Sequence, residues 1–121
     1  MSNTATVQTL LKMFESFDVE GFLAHLTDDA VYRFGNYPHA TGKDAIRETI
    51  KASHMDQISG ISFDILKTFE QGDAVIAELA VNYHLTNGTT TTLPCLDIFR
   101  FNGPKVSAML VFMDASPLFA Q

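Results

Sequence analysis

The sequence predicts an α+β fold, with helices near the N-terminus packed on one side of a strongly curved antiparallel sheet that wraps an internal, mainly apolar pocket. Three observations carry this reading. Apolar residues recur at helical spacing only in the first part of the chain. From Ile61 onward the chain is four long runs of strand formers separated by turn signals. Helices therefore come first and paired strands last, an order that puts the helices on one side of an antiparallel sheet. Long strands twist and curl, and a curled sheet covered by a helix leaves a hollow.

The elements follow in order. Val7, Leu10, Leu11, Phe14 and Phe17 form one apolar stripe and predict a helix over residues 4–17. Asp18 is placed to cap a second, short helix carrying Val19, Phe22, Leu23 and Leu26, which Gly21 weakens. Thr27, Asp28 and Asp29 break the pattern, and residues 30–34 read as a strand. Gly35, Asn36, Tyr37, Pro38 and His39 form a turn-rich loop. Thr41-Gly42-Lys43-Asp44 reads as a capping box opening a third helix that reaches about His54. Ile46, Ile50 and either Ser53 or His54 mark its inner face.

The four strands are residues 61–70, 74–85, 89–101 and 105–114. Gly72-Asp73, Asn87-Gly88 and Asn102-Gly103 turn the chain between them. Pro94 inside the third run requires a sheet edge or a bulge there. The tail, residues 116–121, is expected to pack loosely. No linker or repeat divides the chain, so residues 1–121 read as a single domain.

Composition removes several function classes. Hydrophobic residues make up 46% of the chain and ten are Phe, enough for one core without disulfides or metals. Net charge is −6 and the eight Lys and Arg are scattered, so no basic patch exists for nucleic acid or an anionic membrane. No apolar run of about 18 residues predicts a membrane span. The first residues have neither the basic start nor the apolar stretch of a signal peptide. Cys95 is the only cysteine, which rules out an intrachain disulfide and suits a reducing cytoplasm. His-x-x-x-His and Cys-x-x-Cys spacings are absent, and neither a metal nor another cofactor is expected.

Four segments carry a family resemblance. They are Asp18-Val19-Glu20-Gly21-Phe22, the run from Leu26 through Asp28-Asp29-Ala30 to Phe34, and Gly42-Lys43-Asp44-Ala45-Ile46-Arg47-Glu48. The strongest is Leu93-Pro94-Cys95-Leu96-Asp97-Ile98-Phe99-Arg100-Phe101-Asn102-Gly103, continuing through Lys105-Val106. Together they resemble the SnoaL-like members of the nuclear transport factor 2 superfamily over nearly the whole chain. The resemblance implies an α+β cone and a homodimer. It also implies a pocket lined by Tyr32, Phe34, Leu79, Val81, Tyr83, Cys95, Asp97, Phe99, Phe101, Met109, Val111 and Met113. Each set keeps the period-two spacing of one strand face. The family hosts isomerases, cyclases, hydrolases, dehydratases and non-enzymatic binders, so it fixes fold better than function.

Known chemistries of the superfamily can be tested residue by residue. The water-activating Arg and Asp residues of limonene epoxide hydrolases are matched by Leu79, Val81 and Val111, which move no protons. Tyr32 matches their Tyr, but Phe34 replaces the neighbouring Asn. In ketosteroid isomerase, the acid that donates to an oxyanion is matched by Asp97 and a pocket aromatic by Phe99. Its base is matched by Phe34 and its partner Tyr by Leu10. SnoaL-type cyclases pair an acidic residue with a His. Asp97 can stand for the first, and His84, His39 or His54 for the second.

Asp97 is the principal catalytic candidate. Leu96, Ile98, Phe99 and Phe101 surround it in sequence, so burial should raise its pKa. The plainer reading is a buried Asp held by a hydrogen-bond partner. Tyr32 is the second candidate, as a ligand-orienting phenol or simply a pocket wall. His39 is the third, on a loop where Tyr37 could form the rim. Phe34, Tyr37, Leu79, Val81, Tyr83, Phe99, Met109, Val111 and Met113 are the expected ligand-binding residues, with Met55 as a further adaptable contact. His84 has the parity of the opposite face. Cys95 reads as a small packed hydrophobe, and Asp114 as a turn cap.

The expected ligand is a small apolar molecule. Ile76, Ala80, Asn82, Ile98 and Leu110 fall on the outer face of the sheet, an expected homodimer surface. Three functions remain open: an isomerase, cyclase or dehydratase using Asp97; a non-enzymatic binder; or a dimerisation domain. A second titratable group beside Asp97 favours the enzyme.

Overall fold

The computed structural model describes residues 2–52 and 58–119. Its elements are α1 Asn3–Glu15, α2 Val19–Ala24, β1 Leu26–Phe34, β2 Ala40–Thr41 and α3 Lys43–Ala52, then β3 Ile58–Gln71, β4 Ala74–Leu85, β5 Thr90–Asn102, β6 Lys105–Phe112 and α4 Ser116–Phe119. The six strands form one curved, unclosed sheet in the order β2-β1-β6-β5-β4-β3. All its pairs are antiparallel except β1 with β6, which run parallel. The fold is α+β, as the order of periodicities requires. Ser53, His54 and Met55, expected at the end of the third helix and on the pocket wall, lie outside the described residues.

The hairpins sit where the turn signals put them. Gly88 and Gly103 take φ of 89° and 62°, conformations that cost a glycine little. Pro94 faces Ala80 on β4, while the last β6 pair on its other side is Leu96 with Phe112. It therefore occupies the edge position its missing N–H demands.

Several boundaries differ from the sequence reading, each for a local reason. The first helix ends at Glu15, and Phe17 lies beyond it with φ of 57°. β1 begins at Leu26 because Thr27, Asp28 and Asp29 belong to the strand, in a stretch where its register against β6 shifts before Val31. Thr41, expected to cap α3, pairs with Val31 in β2 instead, and Gly42 at φ 89° turns the chain into the helix. Of the tail, Ser116–Phe119 form a helical turn rather than a loose end, with Leu118 buried. Asp114 caps it as expected, accepting from Ser116 N at 2.9 Å.

Helices cover the inner face of the sheet. α1 lies over β3 and β4 and buries Val7, Leu10 and Leu11. It is tied to edge strand β3 near both ends: Thr4 Oγ1 donates to Glu70, and Phe63 N donates to Glu15 Oε2 at 2.8 Å. Phe14 meets Phe22 edge-on at 4.6 Å between ring centroids, locking α2 to α1. α3 packs on β1, β2 and α2 through Ile46.

Candidate functional site

The period-two spacing of β4, β5 and β6 delivers one row of side chains to the inner face. Asp97 stands opposite Ala77 on β4 and Val111 on β6. Phe99 follows it, opposite Val75 and Met109, and Cys95 precedes it, opposite Leu79. β1 adds Tyr32 beside Met109 and Phe34 beside Val111. The inner set expected from parity and resemblance is therefore assembled as one surface. Tyr32, Leu79, Val81, Tyr83, Phe99, Met109 and Val111 are buried in it, while Phe34 and Met113 are partly buried at its margin.

Burial varies along this surface. Val7, Leu10, Val75, Ala77, Phe99 and Val106 have no exposure, which marks a packed floor. Tyr32, Tyr83, Cys95 and Val111 each keep 7%, and Leu93 8%. Phe34, Met113, Ile58, Ile61 and Phe63 are only partly buried. Packing thus loosens from the floor toward the far ends of the strands. Asp97, at 2%, sits where the floor gives way.

The carboxyl of Asp97 is not alone. Cys95 Sγ donates to its Oδ1 at 3.2 Å. Burial raises Asp97 to about 7, against a smaller lowering by the thiol bond. Burial also pushes the phenol of Tyr32 up, and the nearby charge of Asp97 adds to this. Burial is also the main cause that raises Tyr83 and Cys95, with Cys95 and then Asp97 adding to the first and Asp97 to the second. The two phenols and the thiol stay protonated at neutral pH, so each is a hydrogen-bond donor. Tyr83 Oη spends its proton on Met113 Sδ at 3.5 Å. Among the described residues no hydrogen bond reaches the Tyr32 hydroxyl, although the residue is more than nine-tenths buried. Its oxygen keeps some exposure, since among the described residues Arg33 Nε is the side-chain polar atom that is fully buried without a partner.

The remaining candidates fall elsewhere. Tyr37 is exposed and stacks on Phe34 at 6.2 Å, 25° between rings, a rim position rather than a wall. His39 is exposed on the loop before β2 and is not part of the buried surface. His84 faces outward as its parity requires, bonded to Ser62 and Thr90 hydroxyls. His25 Nδ1 bonds Gly21 O at the end of α2. Among the described residues no group of three or more His, Cys, Asp or Glu is arranged to hold a metal. A separate apolar groove is lined by Met13, Phe14, Phe17, Val19, Phe22 and Ile50, and its carboxylate, Asp18, caps α2 through Gly21 N.

Cys95 is the neighbour of Asp97 that the sequence reading did not pair with it. Its signal was available, since i and i+2 on one strand share a face. Reading Cys95 as a small packed hydrophobe leaves its proton out of account. What matters here is the neutral thiol as a donor.

Comparison with solved structures agrees with this architecture. An NTF2-like protein of unknown function from Burkholderia pseudomallei superposes with a TM-score of 0.87 at 20% identity, over 99% of this chain and 97% of that one. TerC, crystallised with polyporic acid, gives 0.82 at 21% identity, covering 98% and 95%. Rv0760c from Mycobacterium tuberculosis, in complex with estradiol-17β-hemisuccinate, gives 0.76 at 18%, covering 93% and 94%. No curated protein matches the chain. Sequence similarity reaches further than these identities suggest, because the family defined by the SnoaL-like domain matches residues 7–109. The chain belongs to the SnoaL-like domain family.

Proposed function

We propose that the inner face binds a small, mainly apolar carbonyl compound and that Asp97 moves a proton on it, as an isomerase, cyclase or dehydratase does. The observation that carries this is the cluster itself. A carboxyl near neutral pKa lies with Cys95, and with Tyr32 and Tyr83 close enough to feel its charge, on a surface otherwise made of Leu, Val, Phe and Met. A simple binder needs no such carboxyl.

The three reaction types share one step. With Asp97 ionised, its carboxylate removes a proton from the carbon next to the carbonyl. The C–H electron pair forms the enolate double bond, and negative charge moves to the carbonyl oxygen. The Tyr32 hydroxyl, kept protonated by burial, donates to that oxygen. Protonated Asp97 then returns the proton to another carbon, or to a departing hydroxyl. A pKa of about 7 suits both directions at neutral pH. Leu79, Val81 and Val111 exclude water from the site without competing for protons. Small-molecule binding by structural neighbours supports the ligand part of this reading: TerC was crystallised with polyporic acid and Rv0760c in complex with estradiol-17β-hemisuccinate.

The chain also fits a homodimer joined through the outer face of the sheet, and its single reduced cysteine fits the cytoplasm. Exchange of the α-protons of 2-tetralone into D2O, followed by proton NMR, tests the chemistry. The intact chain should speed exchange beyond an equal concentration of free carboxylate. Asp97→Asn should abolish the gain, and Tyr32→Phe should reduce it by about tenfold or more. Equal exchange by all three proteins overturns the reading.

A further inference from the structure

Asp97 has an asymmetric environment. Cys95 lies two residues before it on β5, so both side chains leave the same face, and the thiol reaches one carboxyl oxygen, Oδ1, at 3.2 Å. Few other groups can compete for that carboxyl. β6 presents Met109 and Val111, and β4 presents Val75, Ala77 and Leu79. The buried residues of α1 are Thr6, Val7, Leu10 and Leu11, those of α2 are Phe22 and Leu23, and that of α3 is Ile46, none of them ionisable. On β3, Glu70 is exposed and held by Thr4. Tyr32 from β1 and Tyr83 from β4 are the titratable groups besides Cys95 that bear on Asp97. Tyr83 gives its proton to Met113.

We propose that Cys95 is a positioning residue: its thiol holds Oδ1, turns Oδ2 toward the bound molecule, and favours the ionised carboxyl. This rests on the acid–base reading of Asp97. The choice of a thiol has a physical logic. A donor to the carboxylate stabilises the charged form and opposes the effect of burial. Two strong donors would hold the group ionised and leave it a poor acid. No donor would leave it protonated and free to rotate. A thiol is a weak donor. It fixes orientation while letting burial keep the group near neutrality. Burial also keeps the thiol protonated, so it remains a donor and not a nucleophile.

The test is a titration of the full chain carrying 13C-labelled Asp carboxyls, with Asp97→Asn used to assign the resonance. Cys95→Val removes the donor at nearly constant shape, and Cys95→Ser supplies a stronger one. The midpoint of Asp97 should rise by at least about half a pH unit in Cys95→Val and fall below that of the parent chain in Cys95→Ser. A Cys95→Val midpoint equal to that of the parent overturns the proposal. If Cys95→Val does not fold, Cys95→Ser decides alone, and an unchanged midpoint overturns it. The two readings fail separately. Loss of 2-tetralone exchange in Asp97→Asn with no movement of the midpoint removes the role of Cys95 and keeps the acid. A moved midpoint with no exchange in any protein keeps Cys95 and removes the reaction.

Discussion

A carboxyl folded away from water ties the stability of the chain to pH, and Asp97 should dominate that link. Its pKa rises from 3.8 to about 7 on folding because burial penalises the charge. Between those values the folded chain keeps a proton that the unfolded chain has released. The folded state then binds more protons, so stability is highest below the unfolded pKa, falls as pH rises through the window, and levels off above about 7. At 2% exposure there is little solvent screening, and the whole fall is on the order of 4 kcal/mol. Asp97→Asn cannot titrate. Urea unfolding at about pH 5 and about pH 8 should show the variant gaining on the parent chain at the higher pH. Equal slopes in the two proteins would mean that Asp97 is ionised at no cost, against the burial argument. The acid was legible in the sequence because an Asp at inward parity between Phe and Leu residues has nowhere polar to go. The distance from Cys95 Sγ to Oδ1 was not, since parity puts two side chains on one face without saying that their rotamers meet.

The end of α1 shows how side-chain periodicity and backbone conformation separate at the scale of an element. Phe17 continues the apolar stripe, and its ring lines the groove with Met13, Phe14, Val19 and Phe22. Its backbone has left the helix. Phe17 N donates to Phe14 O, Asp18 N donates to Met13 O at 2.9 Å, and Phe17 takes φ of 57°. This is the Schellman arrangement, whose left-handed position is usually glycine. A side chain there costs about 1–2 kcal/mol, which the packing of the ring must offset. Phe17→Ala loses the ring and keeps the strain, whereas Phe17→Gly loses both. The glycine variant should therefore be the more stable of the two by about 1 kcal/mol in urea unfolding, and equal stabilities would mean that the backbone is unstrained. The tie between α1 and β3 is testable in the same way. Glu15→Ala strips the acceptor from Phe63 N and should cost about 1–2 kcal/mol, while Glu15→Gln should recover part of it. Such long-range bonds have no local signature. β2 was hidden likewise, because Thr41 beside Gly42 and Lys43 reads equally well as a cap, and only the nearby edge of β1 decides for a strand.

On the scale of the whole molecule, the outer face of the sheet poses the remaining question of cover. Antiparallel register aligns Phe69, Ile76, Ile98 and Leu110 across four strands, with Leu96 beside Phe112 in the next row. Phe69, Leu96 and Phe112 are 47%, 37% and 53% exposed, which is costly for a sheet facing only water. Arg33 stands beside Leu110, and its Nε is buried with no acceptor among the described residues. Glu78 and Asp64 lie on the same face, opposite Leu96 and Ala80. Arg33 Nε lacks an acceptor among the described residues, while Glu78 and Asp64 are exposed and Asp64 accepts from Asn82 Nδ2 at 3.1 Å, so a second copy turned by a twofold axis is suited to this face chiefly by setting apolar row against apolar row. The sequence identified this face through Ile76, Ala80, Asn82, Ile98 and Leu110, but those are half-buried by their neighbours, and the more exposed side chains are others. Sedimentation at about 10 µM should give the mass of two chains, within reach of an interface of standard size. Leu96→Glu combined with Phe112→Glu puts charges at positions that the single chain already exposes to water, so the fold should persist by circular dichroism while the mass halves. A parent chain that sediments as a monomer removes the dimer, and a folded double variant that stays dimeric moves the interface off this face.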